Sequence, residues 1–386
     1  MSGADAAFMR EALALARRGA ATTWPNPRVG ALVVQRQRVV GRGFHERAGQ
    51  PHAEIHALRE AGARARAATL YVTLEPCCSR GRTGPCTDAI LAAGIARVVA
   101  AMEDPDPRHC GRGIELLRGR GLDVVTGCMR EAAELLNRPY LTRVRRGRPL
   151  FTIKLGSSWD ARVAYSREAP GWFTGAAAMR EVHRRRAEHP VLMTGIGTVL
   201  ADDPALTVRH AALPGAAPAR LVLDSRLRTP PRARILDGKG GPVWIACTEL
   251  AEDAARRRLE DAGARVLSLP ADAGGRVDLL ALARQLGQAE LVNAVWVEAG
   301  PTLVGALIDC RLADRWVAYL APTLVGGGAA LAAIGGRGAA AAGCAPGLTG
   351  TRVAPVGEDW RVEGSIVYPA DVPGPAGEAG TECSPA

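Results

Sequence analysis

Lysine is almost missing from this sequence: of its 49 basic residues only Lys154 and Lys239 are not arginine. Aromatic side chains are scarce as well, at 4% of 386 residues. Proteins that hold single-stranded nucleic acid interleave aromatic stacking platforms with basic stretches, so that class is disfavoured. No apolar run is long enough to span a bilayer, and Met1 to Arg18 lacks the charged-then-apolar pattern of a secretion leader. No membrane partner is expected, and a cytoplasmic location is. Nine cysteines, an odd number without a secretory context, argue against a disulfide framework and for reduced thiols or metal ligands. Cys110, Cys128, Cys247, Cys310, Cys344 and Cys383 stand at no ligand spacing. The full Gly-x-Gly-x-x-Gly fingerprint is absent too: Gly195-Ile196-Gly197 stops short of it, and Gly326-Gly327-Gly328 has no strand-turn-helix context.

What the chain does have is length and positive charge. Its 386 residues suffice for two domains with sizeable cores. The formal charge of +10 is carried by arginines along the whole chain, with Arg143, Arg145, Arg146 and Arg148 in one cluster. Such a surface suits phosphorylated small molecules. An arginine- and alanine-rich genome composition accounts for the same charge without a function.

Three soft donors and a carboxylate carry the clearest chemistry. His52-Ala53-Glu54 is followed by Glu75-Pro76-Cys77 and, nine positions beyond Cys77, by Cys86. Zinc takes imidazole and thiolate in tetrahedral geometry, and three protein ligands leave a fourth position for water. Water on zinc loses a proton near neutral pH, and a carboxylate outside the ligand set, here Glu54, can carry protons between water and substrate. Zinc deaminases are written His-x-Glu with Pro-Cys-x-x-Cys. Here the second half is stretched by a Gly/Pro-rich loop from Cys78 to Pro85. A rival pairing uses His52 and His56 at i and i+4, but the zincin helix needs its glutamate directly after the first histidine, where Ala53 stands. A structural zinc or ordinary buried thiols would leave Glu54 unexplained.

Along the chain, Ala and Leu at helical spacing predict a first helix over 5–19, stopped by Gly19. Strands are predicted over 29–34, 38–44, 68–73, 96–101 and 123–126, and helices from Pro51, over 87–93 and over 113–120. Pro51 as a first-turn residue puts His52 inside that helix. The alternation argues an α/β fold with the ligands at helix starts and a strand end, the mouth of the sheet. A helical stretch over 129–148 runs into Gly147-Arg148-Pro149, the expected domain connection, which gives domains over 1–147 and 148–368. A second α/β unit is predicted with strands over 150–156, 190–194, 220–224, 243–247, 265–269, 294–298 and 315–320, and helices over 176–188, 251–262, 276–287 and 302–308. Residues 326–346 are expected as a mobile loop and 369–386 as a disordered tail.

In the second half, Val295 to Thr302 reads as a strand, a glycine turn and a proline-started helix whose free N–H groups suit an anion. Tight strand-to-helix packing explains those residues equally well. Asp202-Asp203-Pro204 offers paired carboxylates for a metal or a sugar hydroxyl, or simply a turn. Lys154, on a strand with apolar neighbours, needs a partner or a ligand. Arg186 and Arg209 are candidates to neutralise a phosphate.

The stretches Thr22 to Gly30, His52-Ala53-Glu54, Leu74-Glu75-Pro76-Cys77 and Gly81-Arg82-Thr83 together resemble the bifunctional riboflavin-biosynthesis deaminase/reductase family. The resemblance continues through Lys154-Leu155-Gly156, Thr198 to Arg209, Leu223-Asp224-Ser225 and Val297 to Leu303. It implies a cytidine-deaminase-like three-layer domain followed by a dihydrofolate-reductase-like α/β domain. It also implies two consecutive reactions. The 2-amino group of a diaminopyrimidinone carrying a phosphoribosylamino arm is removed, and the ribosyl is then reduced to ribityl with NADPH. By that resemblance His52, Cys77 and Cys86 hold Zn²⁺, Glu54 is catalytic, and Asn26 and His45 line the pyrimidine pocket. Cofactor contacts fall on Gly156, Trp172, Thr198, Asp202, Ser225 and the turn Gly300, Pro301, Thr302, Leu303, Val304, Gly305 and Ala306. Substrate contacts fall on Lys154, Pro170, Arg186, Leu206, Arg209 and Glu298. A homo-oligomer without nucleic-acid partners is expected.

The chain departs from the family pattern in its second half. Asp160-Ala161-Arg162 replaces Asp-Gly-Arg, and Pro170 takes the place of a substrate-contacting serine. A deaminase whose reductase half is weakened or altered is therefore the alternative. A zinc deaminase acting on a base within RNA is the alternative of another class.

Overall fold

The computed structural model describes residues 3–79, 84–166, 168–169 and 171–369. Gly81-Arg82-Thr83, Pro170 and the expected tail beyond Pro369 lie outside the described residues. The chain divides into two compact units, Met1–Pro149 with Leu291–Asn293, and Leu150–Glu290 with Ala294–Ala386. Among the described residues no helix is long and apolar enough to cross a membrane.

In the first unit α1 (Gly3–Ala16) precedes a hairpin of β1 (Gly30–Gln35) and β2 (Arg38–Phe44). Then α2 (Ala53–Ala61), β3 (Thr69–Val72), α3 (Cys86–Ala92), β4 (Arg97–Ala100), α4 (Arg112–Gly119) and β5 (Asp123–Thr126) alternate, and α5 (Arg130–Leu136) and α6 (Arg138–Arg146) follow. The sheet order is β2-β1-β3-β4-β5, antiparallel across the first three strands and parallel across the last three. Strand pleating sends Leu32, Val34, Tyr71 and Val99 to a core with Met9 and Leu13 of α1 and Leu141 of α6. The alternate residues Ala31, Val33, Leu70, Val72 and Val98 pack against Ala53, Ala57, Ile90 and Leu117 of α2, α3 and α4. The result is three layers, helices on both faces of one sheet.

Glycine decides where α2 sits. A Cβ on Gly41 would stand 2.1 Å from the carbonyl oxygen of Ala57, and one on Gly43 2.1 Å from that of Ala53. Only glycine on β2 lets the alanine face of α2 rest directly on the strand. That seating fixes the start of α2, where His52 and Glu54 stand.

The second unit opens with β6 (Leu150–Ser158), β7 (Arg162–Ala164), α7 (Ala176–Ala187), β8 (Val191–Gly195), α8 (Ile196–Asp202) and β9 (Ala219–Leu223). It continues with β10 (Val243–Thr248), α9 (Asp253–Asp261), β11 (Ala264–Leu269), α10 (Leu279–Gln288), β12 (Ala294–Glu298) and α11 (Pro301–Asp309). β13 (Ala313–Ala321), β14 (Leu331–Ala332), β15 (Gly347–Val356) and β16 (Asp359–Val367) close it. Nine strands form one sheet in the order β11-β10-β9-β8-β12-β6-β13-β16-β15, parallel as far as β13 and antiparallel beyond, and β7 pairs with β14. Leu192, Val222, Ile245, Trp296 and Val317 of the sheet share a core with Val182, Val199 and Leu259 of the helices. From β6 in the middle the chain steps outward through β8, β9, β10 and β11, then returns with β12 between β8 and β6. Where strand order reverses, a crevice opens at the carboxyl ends of the strands.

Three expectations are corrected. The helix expected from Pro51 starts two residues later, at Ala53, because His52 keeps an extended backbone (φ −74°, ψ 165°) as the N-cap of α2. Residues 326–346, expected as a mobile loop, are tied down at their centre. Ala333 N donates to Ala161 O at 3.1 Å, Gly335 N to Pro301 O at 3.0 Å and Arg337 N to Asp309 Oδ2 at 2.9 Å. The hairpin of β15 and β16 was not expected at all: β15 is an exposed edge strand with Gly347, Gly350 and Pro355, so no apolar alternation marks it.

Candidate active sites

In the first unit the N-cap of α2 and the first residue of α3 converge. His52 Nδ1 stands 3.2 Å from Cys86 Sγ and 3.5 Å from Cys77 Sγ, and Cys86 N donates to Cys77 Sγ at 3.3 Å. The three ligand atoms lie within 4.8 Å of one another. His56 has no part in this cluster, which removes the zincin pairing. Hydrogen bonds from Cys86 and His52 hold the Cys77 thiol far below its ordinary pKa despite burial, so it is a thiolate, the form a metal requires. Glu54, in the first turn of α2, is 3% exposed and its Oε2 has no hydrogen-bond partner among the described residues. Burial raises its pKa. A buried carboxyl oxygen without a partner is costly unless a ligand completes it. One imidazole, two thiols and that oxygen fit a zinc ion with an open position.

Beside the cluster, Asn26 Nδ2 lies 3.2 Å from His45 Nε2, and His45 Nδ1 lies 3.2 Å from Pro51 O. The carbonyl can only accept, so Nδ1 carries the proton and Nε2 accepts from the amide of Asn26. Burial lowers the His45 pKa and keeps this neutral form. The His45 and His52 rings meet edge to face at 5.4 Å.

Sequence reasoning missed what stands behind Cys77. The buried Glu75 carboxylate accepts four backbone N–H groups: Asp104 (3.1 Å), Gly111 (2.9 Å), Gly113 (2.8 Å) and Ile114 (3.3 Å). It thereby closes the open N–H end of α4. A Cβ on Gly113 would lie 2.1 Å from Pro76 O, so α4 touches the Pro76-Cys77 turn. A side-chain acceptor of backbone N–H groups leaves no spacing signal in a sequence.

In the second unit a cavity of about 860 Å³ lies at the carboxyl ends of β6, β8, β9 and β12. Lys154, Gly156, Trp172, Arg186, Thr198, Asp202, Leu206, Ser225, Glu298, Gly300, Pro301, Thr302, Leu303 and Ala306 line it. Val304 is instead fully buried in the core, Gly305 packs against Gly335, and Arg209 is not part of the lining. Glu298 is the centre of the charged wall. Its Oε1 accepts from Arg186 Nε (2.6 Å) and Trp296 Nε1 (2.9 Å), its Oε2 accepts from Arg186 Nη2 (2.8 Å), and Lys154 Nζ stands 3.7 Å away. Burial would raise the Glu298 carboxyl, but Arg186, Lys154 and the Trp296 N–H outweigh it and hold it well below the carboxylate range. Burial lowers the Lys154 ammonium, with Glu298 opposing.

Asp202 and Asp203 separate in role. Asp203 ends α8 with φ +40° and its Oδ1 accepts from Arg234 N at 2.8 Å, a structural turn, while Asp202 faces the cavity. Arg209 N donates to His183 Nδ1 at 3.1 Å, and Arg186 Nη1 donates to Thr207 O at 2.8 Å, so Arg209 and Arg186 are held by the same segment. Gly300 is the extended N-cap of α11, as a strand, glycine turn and proline-started helix predict.

Residues 149–362 match the RibD C-terminal domain family, and residues 2–102 match the cytidine and deoxycytidylate deaminase zinc-binding region. The riboflavin biosynthesis protein RibD of Escherichia coli (strain K12) is 46% identical over 333 residues, covering 83% of this chain and 89% of its own. That of Bacillus amyloliquefaciens is 38% identical over 357 residues, covering 92% and 94%. Among solved structures, form 1 of Acinetobacter baumannii RibD aligns with a TM-score of 0.85 at 36% identity, over 94% of this chain and 99% of that one. A diaminohydroxyphosphoribosylaminopyrimidine deaminase/5-amino-6-(5-phosphoribosylamino)uracil reductase from Thermotoga maritima aligns with a TM-score of 0.81 at 29% identity, over 94% and 99%. The chain belongs to the RibD family of riboflavin biosynthesis proteins.

Proposed function

We propose that the chain is a bifunctional enzyme of riboflavin biosynthesis. Its first unit hydrolytically deaminates 2,5-diamino-6-(5-phosphoribosylamino)pyrimidin-4-one, and its second reduces the ribosyl side chain to ribityl. The observation that carries this reading is the convergence of His52, Cys77 and Cys86 beside the unpartnered Glu54 Oε2. In the proposed assignment those three residues hold Zn²⁺, and Gly156, Trp172, Thr198, Asp202, Ser225, Gly300, Pro301, Thr302, Leu303 and Ala306 hold NADPH. When bound, zinc supplies Lewis-acid activation of a water molecule and NADPH supplies a hydride. Glu54 Oε2 takes a proton from the attacking water and hands it to the departing amino nitrogen, a role its burial-raised pKa suits. Asn26 and His45 orient the pyrimidine. In the cavity Glu298, fixed by Arg186 and Trp296, holds the sugar hydroxyls. Lys154 Nζ donates toward the oxygen that gains charge on reduction, and Arg186 faces the substrate's anionic arm from the cavity wall, with Arg209 outside the lining on the segment that holds Arg186.

The proposed functional domains are 1–147 and 148–368. The substrate is a free small molecule rather than a base within RNA, and the enzyme acts as a cytoplasmic homo-oligomer. The weakened-reductase alternative rests on Pro170, which lies outside the described residues, and on Ala161. That alanine adopts φ +57°, the conformation a glycine would take, and Asp160 still accepts from Ser158 Oγ (2.6 Å), Val325 N (3.0 Å) and Gly326 N (2.7 Å). The test is direct. Purified protein given the diaminopyrimidinone phosphate should release ammonia and then consume NADPH. Ammonia without NADPH consumption selects the weakened-reductase alternative, and neither product overturns both readings.

A further inference from the structure

A charged side chain stands where β9 would otherwise carry an apolar one. Arg220, between the buried Ala219 and Leu221, is 2% exposed, and no ion pair compensates it among the described residues. A buried guanidinium is costly unless its fork of N–H groups is put to use. Its Nη1 donates to Ala205 O at 3.3 Å, its Nη2 to Gly241 O at 2.7 Å and its Nε to the same Gly241 carbonyl at 3.3 Å. A Cβ on Gly241 would lie 2.1 Å from Pro218 O, so only glycine delivers that carbonyl here. The fork thus bridges the loop before β10 and the loop after α8, which runs to the cavity.

That second loop is gripped at every other residue. Arg220 holds Ala205 O, Arg186 Nη1 holds Thr207 O at 2.8 Å, and His183 Nδ1 holds Arg209 N at 3.1 Å. Between the first two grips stands Leu206, at φ +47° and 4% exposed, on the cavity that Lys154 and Glu298 also line. A leucine is strained in that conformation and keeps it only where its surroundings are fixed. Arg186, paired with Glu298, fixes the cavity side. Arg220 lies outside the lining and fixes the far side without touching a ligand. Resting on the reductase reading above, we infer that Arg220 is a positioning residue of the reductase: by holding Ala205 O it keeps Leu206 turned into the cavity and sets the fit of the pyrimidine substrate rather than that of the cofactor.

Arg220→Lys keeps the charge but replaces the fork by a single point. Steady-state oxidation of NADPH with the deaminated pyrimidine is measured on the full-length, zinc-loaded protein, on Arg220→Lys, on Leu206→Ala and on the double variant. The thermal midpoint and ammonia release by the first unit serve as checks on folding. Arg220→Lys should raise the KM of the pyrimidine about tenfold, with kcat and the KM of NADPH changed by less than about twofold. Leu206→Ala should raise the same KM, and the double variant should exceed the worse single variant by less than about twofold, because both substitutions remove one contact. Gly241→Ala keeps the guanidinium but displaces the carbonyl beneath it, so it should move the same KM, and it carries the test if Arg220→Lys does not fold. An unmoved pyrimidine KM in the folded variants overturns the inference. So do effects of Arg220→Lys and Leu206→Ala that multiply, or a joint worsening of kcat and both KM values. If the unaltered protein does not oxidise NADPH with this pyrimidine, the reductase reading falls and takes the role of Arg220 with it.

Discussion

At the scale of single residues, burial decides what the ionisable groups can do. Glu54 is nearly sealed, with one carboxyl oxygen unpartnered among the described residues, so Glu54→Gln keeps the shape and removes the proton carrier. Ammonia release should drop by about 10²–10⁴-fold with bound zinc unchanged; undiminished release in the variant would remove Glu54 from the chemistry. His183 makes the opposite use of burial. Its Nδ1 accepts the Arg209 N–H, a bond the neutral ring alone can make, and burial with Arg186 and Arg209 nearby pushes its pKa down to about 4. An unfolded histidine titrates near 6.5, so the unfolded chain takes the proton first. Stability is therefore full above about pH 6.5 and falls as the pH drops from there toward 4, by about 2 kcal/mol. Urea midpoints across that range should show the slope, and His183→Gln should flatten it; the same slope in the variant would assign it elsewhere. The two groups also differ in legibility. His52, Glu54, Cys77 and Cys86 could be read from spacing because zinc chemistry fixes both donor type and order. His183 could not, because its task is to hold the backbone of Arg209, and no pattern of residue types marks that.

At the scale of elements, the strands and helices that carry the sites were visible as apolar runs broken by glycine and proline, and β2, β5 and β12 fell where periodicity placed them. The short α8 (7 residues) and the edge hairpin of β15 and β16 were not visible. α8 sends only Val199 into the core, so no apolar face marks it, and β15 as an exposed edge strand has no buried face to alternate with. Glu75 is the element-scale device that spacing hid. It ends the loop before Cys77 and, by accepting four N–H groups, joins that loop to the start of α4. Glu75→Ala would leave those donors buried without partners, a loss of about 2–4 kcal/mol in unfolding free energy. It should also weaken zinc binding, since Cys77 loses its backing, and a chelator-competition titration reads that directly. Equal zinc affinity in the variant would limit Glu75 to stability. Ala161 is the converse case. At φ +57° an alanine is strained, so Ala161→Gly should raise stability by about 0.5–1 kcal/mol in a denaturant titration without altering the Asp160 turn. A loss of stability would mean the strain is relieved in some other way.

At the scale of the whole molecule, the two constellations belong to separate units with separate sheets, five strands in one and nine in the other. Each unit has its own apolar core: the cores holding Ala53 and Ile90 and holding Met9 and Leu32 in the first, and the one holding Val222 and Trp296 in the second. No donor of the His52, Cys77 and Cys86 cluster lies in the second unit, and no charge of the Lys154, Arg186 and Glu298 cluster lies in the first. The two reactions should therefore fail separately. Stripping the protein of metal with a chelator at neutral pH should abolish ammonia release, because thiolates and imidazole without their ion leave Glu54 no activated water to serve. The same stripped protein, given the already deaminated pyrimidine and NADPH, should oxidise NADPH at an unchanged rate, since Glu298, Arg186 and Lys154 hold one another without any metal. Adding zinc back should restore ammonia release alone. If reduction instead falls in step with the metal content, the second unit depends on the first for its working structure, and two compact units in one chain do not amount to two independent catalysts.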